Sequence, residues 1–182
     1  MNAMDEVDTA IGGTDDDMIE VAARIFEFAR NGDAASLRAV IERGVPTNLR
    51  NERGDSLLML AAYYGHVDAV QELLKLDADP DLTNSLGQTP LAGAAYKGYA
   101  DVVDALLAGG ANVEGASPDG RTALMIAAMF NRTEIVERLL AQGADPDARD
   151  DGGATALSVA QAMGARNAAR QLEKVVNRGR VA

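Results

Sequence analysis

The sequence predicts an all-α fold, a solenoid of helix-turn-helix units joined by β-hairpin-like finger loops. Three observations carry that prediction. Gly54, Gly87, Gly120 and Gly153 recur every 33 residues without an insertion; Ala61-Ala62 returns in step as Ala94-Ala95 and Ala127-Ala128; Leu73-Leu74 returns as Leu106-Leu107 and Leu139-Leu140. A fixed period of this length marks a stacked array, in which a single unit is too small to bury its apolar face alone. The phase defines full units at 51–83, 84–116 and 117–149 and a C-terminal capping unit at 150–182. One period earlier, a degenerate N-terminal capping unit at 18–50 keeps Ala29, Gly32, Val40-Ile41 and Gly44 in register.

Taken in chain order, residues 1–17 contain Asp5, Glu6, Asp8, Asp15, Asp16 and Asp17 around Gly12-Gly13, with no basic residue. Such a composition predicts a solvated, flexible acidic tail. Each unit then opens on its finger glycine, followed by Ser56, Thr89, Thr122 or Thr155. These hydroxyls can cap the orphan amides of a first helix, and Pro90 fits its first turn, where a missing N–H costs nothing. The first helices end at Gly32, Gly65, Gly98, Asn131 and Gly164. Asparagine is the residue that best replaces glycine in a left-handed cap, so one backbone geometry accounts for all five.

The second helices carry apolar pairs at helical spacing, as in Val102-Val103 with Leu106-Leu107 and Ile135-Val136 with Leu139-Leu140. That pattern makes one broad buried stripe for stacking on neighbouring units. They close at Gly44, Gly110 and Gly143, whereas Asp77 occupies the same place in its unit; the turn there is expected to be strained or differently shaped. In the last unit Glu173 replaces the second leucine of the pair and Arg166, Arg170, Lys174, Arg178 and Arg180 follow the last turn, as befits a polar cap.

These residues resemble the ankyrin repeat, and Thr89-Pro90-Leu91 matches most of its T-P-L-H-x-A signature. The signature histidine is replaced by Met59, Ala92, Met125 and Ser158. The resemblance implies a solenoid that binds other proteins, with helix ends and finger tips lining a concave surface; the histidine's loss implies heavier reliance on apolar packing.

Composition narrows the function further. The chain has 182 residues, a formal charge of −11, no cysteine and one histidine, His66. The charge disfavours phosphate backbones and anionic lipid surfaces, so neither nucleic acid nor membrane is an expected partner. Without cysteine there is no disulfide, thiolate nucleophile or thiolate metal site, and a lone histidine removes the usual parts of hydrolytic and zinc chemistry. The start of the chain has neither the positive residues nor the apolar run of a secretory signal, so a cytoplasmic monomer is expected. His66, following a turn glycine, reads as structural. Asp145, Asp147, Asp150 and Asp151 miss the spacing of a calcium loop, and no glycine pair opens a phosphate loop. No enzyme, cofactor or metal site is expected.

One pattern does point to a site. The residues before each inter-helix turn are Arg30-Asn31, Tyr63-Tyr64, Tyr96-Lys97, Met129-Phe130 and Ala162-Met163, which puts four of the chain's seven aromatics at one place in three consecutive units. Tyr and Met suit protein interfaces. The expected partner-binding set is Tyr63, Tyr64, Tyr96, Lys97, Met129 and Phe130 at the helix ends, with Arg53, Asp55, Leu86, Gln88 and Arg121 on the fingers. The bland reading packs the rings between first helices; adjacent Tyr63 and Tyr64 cannot both do so. The expected function is a non-enzymatic scaffold for another protein, acting alternatively as an inhibitor, regulator or stabilising factor for a partner enzyme. A self-assembling array is opposed by the polar caps.

Overall fold

The computed structural model describes residues 15–179. Ten helices fill them: α1 (Asp15–Asn31), α2 (Ala34–Glu42), α3 (Leu57–Tyr64), α4 (Val67–Lys75), α5 (Pro90–Lys97), α6 (Ala100–Ala108), α7 (Ala123–Met129), α8 (Thr133–Ala141), α9 (Ala156–Ala162) and α10 (Arg166–Gly179). Most of the expected acidic tail, residues 1–14, and Arg180 lie outside the described residues. Asp15, Asp16 and Asp17, assigned to the tail on composition, instead open α1.

Each odd-numbered helix packs on the next odd one and each even helix on the next even one, giving two parallel rows that contact within every unit. Small residues let the first row approach closely: Ala29, Ala61, Ala62, Ala94, Ala95, Ala127 and Ala128 are fully buried. In the second row Leu73, Leu106, Leu139 and Leu172 are fully buried, while Leu74, Leu107 and Leu140 are only half-buried against the core edge. At the place of the missing signature histidine, Met59, Ala92 and Met125 are buried.

The local chemistry repeats with the period. Ser56, Thr89, Thr122 and Thr155 each accept a hydrogen bond from the third backbone N–H of the helix they precede, at 3.0 to 3.3 Å. The turn set has its expected geometry, with φ of 73° at Gly32, 83° at Gly65, 90° at Gly98, 55° at Asn131 and 69° at Gly164. Asp77 corrects the expectation of a different turn shape. At φ 61° it takes the left-handed conformation of Gly110 and Gly143, and Ala78 N–H reaches back to Leu73 O as Ala111 N–H reaches Leu106 O.

Two inter-unit devices run along the second row. In the loops after the helices, Asn48, Asp81 and Glu114 accept from the backbone N–H groups of Asp79, Asn112 and Asp145 in the next unit, each at 2.9 Å. This ladder, with the Asp147 N–H bond to Asp145, accounts for part of the acid-rich segment that loosely resembles a calcium loop. Ion pairs also cross between units: Arg38 meets Glu72 at 2.5 Å, and Asp104 meets Arg138, which also holds Glu134 at 2.7 Å.

Candidate functional site

Helices α3 and α5 finish in Tyr63-Tyr64 and Tyr96-Lys97, and α7 finishes in Met129 with Phe130 capping it. Because these helices stack in one row at a constant period, equivalent residues lie beside one another. The rings meet in sequence. Tyr63 and Tyr64 are edge to face with centroids 5.7 Å apart; Tyr63 and Tyr96 are 6.5 Å apart and within 13° of parallel; Phe130 meets Tyr96 edge-on at 4.8 Å. These are the separations of favourable aromatic pairs.

The rings still face solvent: Tyr63 is 37% exposed, Tyr64 48%, Tyr96 43% and Phe130 40%. Lys97 joins them, its Nζ 5.0 Å from the Tyr63 ring centroid, within cation–π range. Met129 is half-buried, so in the third unit the ridge continues through Phe130 rather than through the residue equivalent to Tyr96. Gly93 went unread in the sequence: a Cβ there would stand 3.7 Å from Tyr63 Cδ2 and 3.8 Å from Met59 Sδ, so the Tyr63 ring lies along bare helix backbone.

The finger candidates form a second group at the opposite ends of the first helices, about 12 Å away along an eight-residue helix. Each finger is a tight turn closed by a side chain at its base. Asn51 Oδ1 accepts from Arg53 and Asp55 N–H, and Asn84 Oδ1 accepts from Leu86 and Gln88 N–H, all at 2.9 to 3.0 Å. The signal for this was the recurrence of Asn51, Asn84, Ser117 and Asp150 three residues before each finger glycine. Neighbouring fingers are tied by backbone bonds, Ser85 N–H to Arg53 O and Asp151 N–H to Asp119 O, both at 3.0 Å.

These ties occupy several of the polar candidates. Asp55 accepts from the Asn84 amide at 3.0 Å, Gln88 accepts from the same amide at 3.1 Å, and Arg121 Nε stands 3.3 Å from Asp119 and 3.9 Å from Asp150. Asp119 also accepts from the Ser117 hydroxyl; that bond first, and the Arg121 guanidinium after it, hold its carboxyl below the usual carboxylate value. Arg53 and Leu86 are exposed, Leu86 at 72%. Across the four fingers, Glu52, Asp55, Asp119, Asp150 and Asp151 stand against Arg50, Arg53, Arg121 and Arg149, with Arg50 donating to Gly54 O at 3.0 Å and Arg149 to Gly153 O at 2.8 Å, so this group is close to neutral.

His66 serves the backbone. Its Nε2 lies 2.7 Å from Arg30 O; a carbonyl only accepts, so Nε2 carries the proton. Its ring also covers Gly32, where a Cβ would come within 2.5 Å of it. Arg132, at the equivalent place two units on, donates to Tyr96 O at 3.4 Å and covers Gly98. Tyr99 covers Gly65 in the same manner, so at three successive turns the following residue clasps the preceding unit.

The family description "Ankyrin repeats (3 copies)" matches residues 25–117 and 94–177. This chain belongs to the ankyrin repeat family. Ankyrin repeats are in general protein–protein interaction modules and are generally non-catalytic. An ankyrin repeat protein of Pseudomonas aeruginosa is 52% identical over 52 residues, which are 29% of this chain and 30% of that relative. Human ankyrin repeat domain-containing protein 29 is 42% identical over 60 residues, 32% of this chain and 20% of its own. Human ankyrin repeat domain-containing protein 63 is 46% identical over 48 residues, 26% of this chain and 13% of its own. The match thus spans less than a third of the length of each of these relatives. Among the described residues of this ankyrin repeat protein, no helix is long and apolar enough to cross a membrane, and no three His, Asp or Glu side chains converge where they would hold a metal ion.

Proposed function

We propose that this protein is a non-enzymatic scaffold that binds a partner protein in the concave groove of its repeats, as a monomer in the cytoplasm. One observation carries the reading: four aromatic rings from three consecutive units touch one another and yet keep more than a third of their surface in solvent. Large apolar side chains exposed together on a rigid frame mark an interaction site, and aromatic clusters of this kind supply most of the energy at interfaces. Tyr63, Tyr64, Tyr96 and Phe130 form the apolar centre, Met129 and Lys97 flank it, and Arg53, Asp55, Leu86, Gln88 and Arg121 supply the finger contacts. A groove already held by its own fingers loses little conformational entropy on binding.

The test is affinity capture from the source cell's lysate with the native protein and a Tyr63→Ala/Tyr96→Ala/Phe130→Ala variant, with folding checked by circular dichroism and urea titration. The expected result is a protein retained by the native form and lost by a variant that still unfolds cooperatively near the native midpoint. Equal retention by both forms would move binding away from the ridge. A collapse of the variant's stability would make the rings core residues instead.

A further inference from the structure

We propose that the row of fingers is two rigid jaws, one made of the fingers at 51–55 and 84–88 and the other of those at 117–121 and 150–154, which part between Leu86 and Pro118 while the helices behind them stay stacked. The sequence supplies the break. Counted by the period, Ser85, Pro118 and Asp151 hold one position of the finger, and Arg53, Leu86 and Asp119 hold another. Ser85 N–H donates to Arg53 O and Asp151 N–H to Asp119 O, each at 3.0 Å. Pro118 has no N–H to give Leu86 O, because its nitrogen is closed into the ring. That ring lies against Gly87 at the place where Ser85 N lies against Gly54 and Asp151 N against Gly120.

The remaining ties follow the same division. Within the first jaw the Asn84 amide reaches Asp55 at 3.0 Å and Arg50 reaches Thr83 O at 2.6 Å; within the second, Arg121 stands 3.9 Å from Asp150. Among the described residues no hydrogen bond or ion pair joins 84–88 to 117–121. Behind the fingers the same two units are pinned three times, by Arg132 on Tyr96 O, by Asp145 N–H on Glu114 and by Arg138 on Asp104. The looseness is therefore confined to the fingers, where a contact without hydrogen bonds opens at a low free energy. Leu86 and Pro118 are both exposed, so separating them uncovers little apolar surface. The motion widens the finger side of the groove and leaves each jaw ordered, so a partner fixes one movement rather than four separate loops. It stands whether or not Tyr63 and Tyr96 form the binding surface.

The chain has no cysteine, so paired spin labels can be placed by substitution and their separation read by double electron–electron resonance on the full chain. Glu52→Cys/Asp151→Cys spans the four fingers, and Asp68→Cys/Asn167→Cys spans the same number of periods along the second row; all four residues are exposed. The finger pair should give a distance distribution about twice as wide as the helix pair. Pro118→Ala, which supplies the missing donor, should narrow it to the width of the helix pair. Ser85→Pro, which removes the donor inside the first jaw, should widen it further. In an unlabelled Pro118→Ala chain the N–H gained at that position should exchange with solvent about tenfold more slowly than the Glu52 N–H, which has no partner among the described residues. The proposal is overturned if the native finger pair is as narrow as the helix pair, if Pro118→Ala leaves its width unchanged, or if the gained N–H exchanges as fast as that of Glu52. The exchange measurement needs no labels and decides the matter alone should a labelled chain fail to fold.

Discussion

Asp77 and Asn131 both hold left-handed backbone without glycine's freedom, at φ 61° and 55°, but only one of them is used for something else. Asn131 Oδ1 accepts from the Ala168 N–H at 3.0 Å, in the first turn of α10. Ala165, just before that helix, has no side-chain oxygen with which to cap it, so the cap arrives from the preceding unit. Asp77 has only the turn to make. Replacement by glycine should therefore act in opposite directions at the two places. Asp77→Gly relieves the left-handed cost and should raise stability by about 0.5–1 kcal/mol. Asn131→Gly relieves the same cost but leaves a helix N–H unpaired, and should lower stability by about 0.5–1 kcal/mol net. Urea midpoints at constant m-value separate the two.

Among the elements, α5 carries a glycine in its interior, a position that costs a helix about 1 kcal/mol relative to alanine. Gly93 is not at positive φ, and an added Cβ would make only ordinary contacts with Tyr63 and Met59. Gly93→Ala should raise the thermal midpoint, by the equivalent of about 0.5–1 kcal/mol, while altering the floor beneath Tyr63. The elements were the most legible part of the sequence, since each cap and turn residue recurs at one period and each mechanism is local. The ridge was legible only in part. Periodicity placed Tyr63, Tyr96 and Met129 together, but it does not specify rotamers, and Phe130 rather than Met129 meets Tyr96. The fingers were less legible still. Asp55 and Arg121 read as free polar contacts in a linear sequence, because the Asn84 amide and the Asp150 carboxylate that reach them belong to neighbouring fingers, whereas Gln88 is held by Asn84 of its own finger.

At the scale of the whole molecule, two ion pairs occupy the same place in the stack with reversed sign. Arg38 and Asp104 are equivalent residues two periods apart, as are Glu72 and Arg138. The first pair thus has its cation on the earlier unit and the second has its anion there. Between them Gln71 and Ala105 are neutral. The units are therefore not interchangeable, although the backbone alone would let any one dock on any other. A chain shortened by removal of residues 51–116 would bring Arg38 against Arg138, like on like. In that chain Arg38→Glu should raise the urea midpoint, whereas in the full chain it sets a second carboxylate beside the mostly buried Glu72 and should lower it, each by about 1 kcal/mol. The same reversal opposes mispairing when two copies exchange units during folding and when recombination trims a repetitive gene in frame. The order of the units is written in charge.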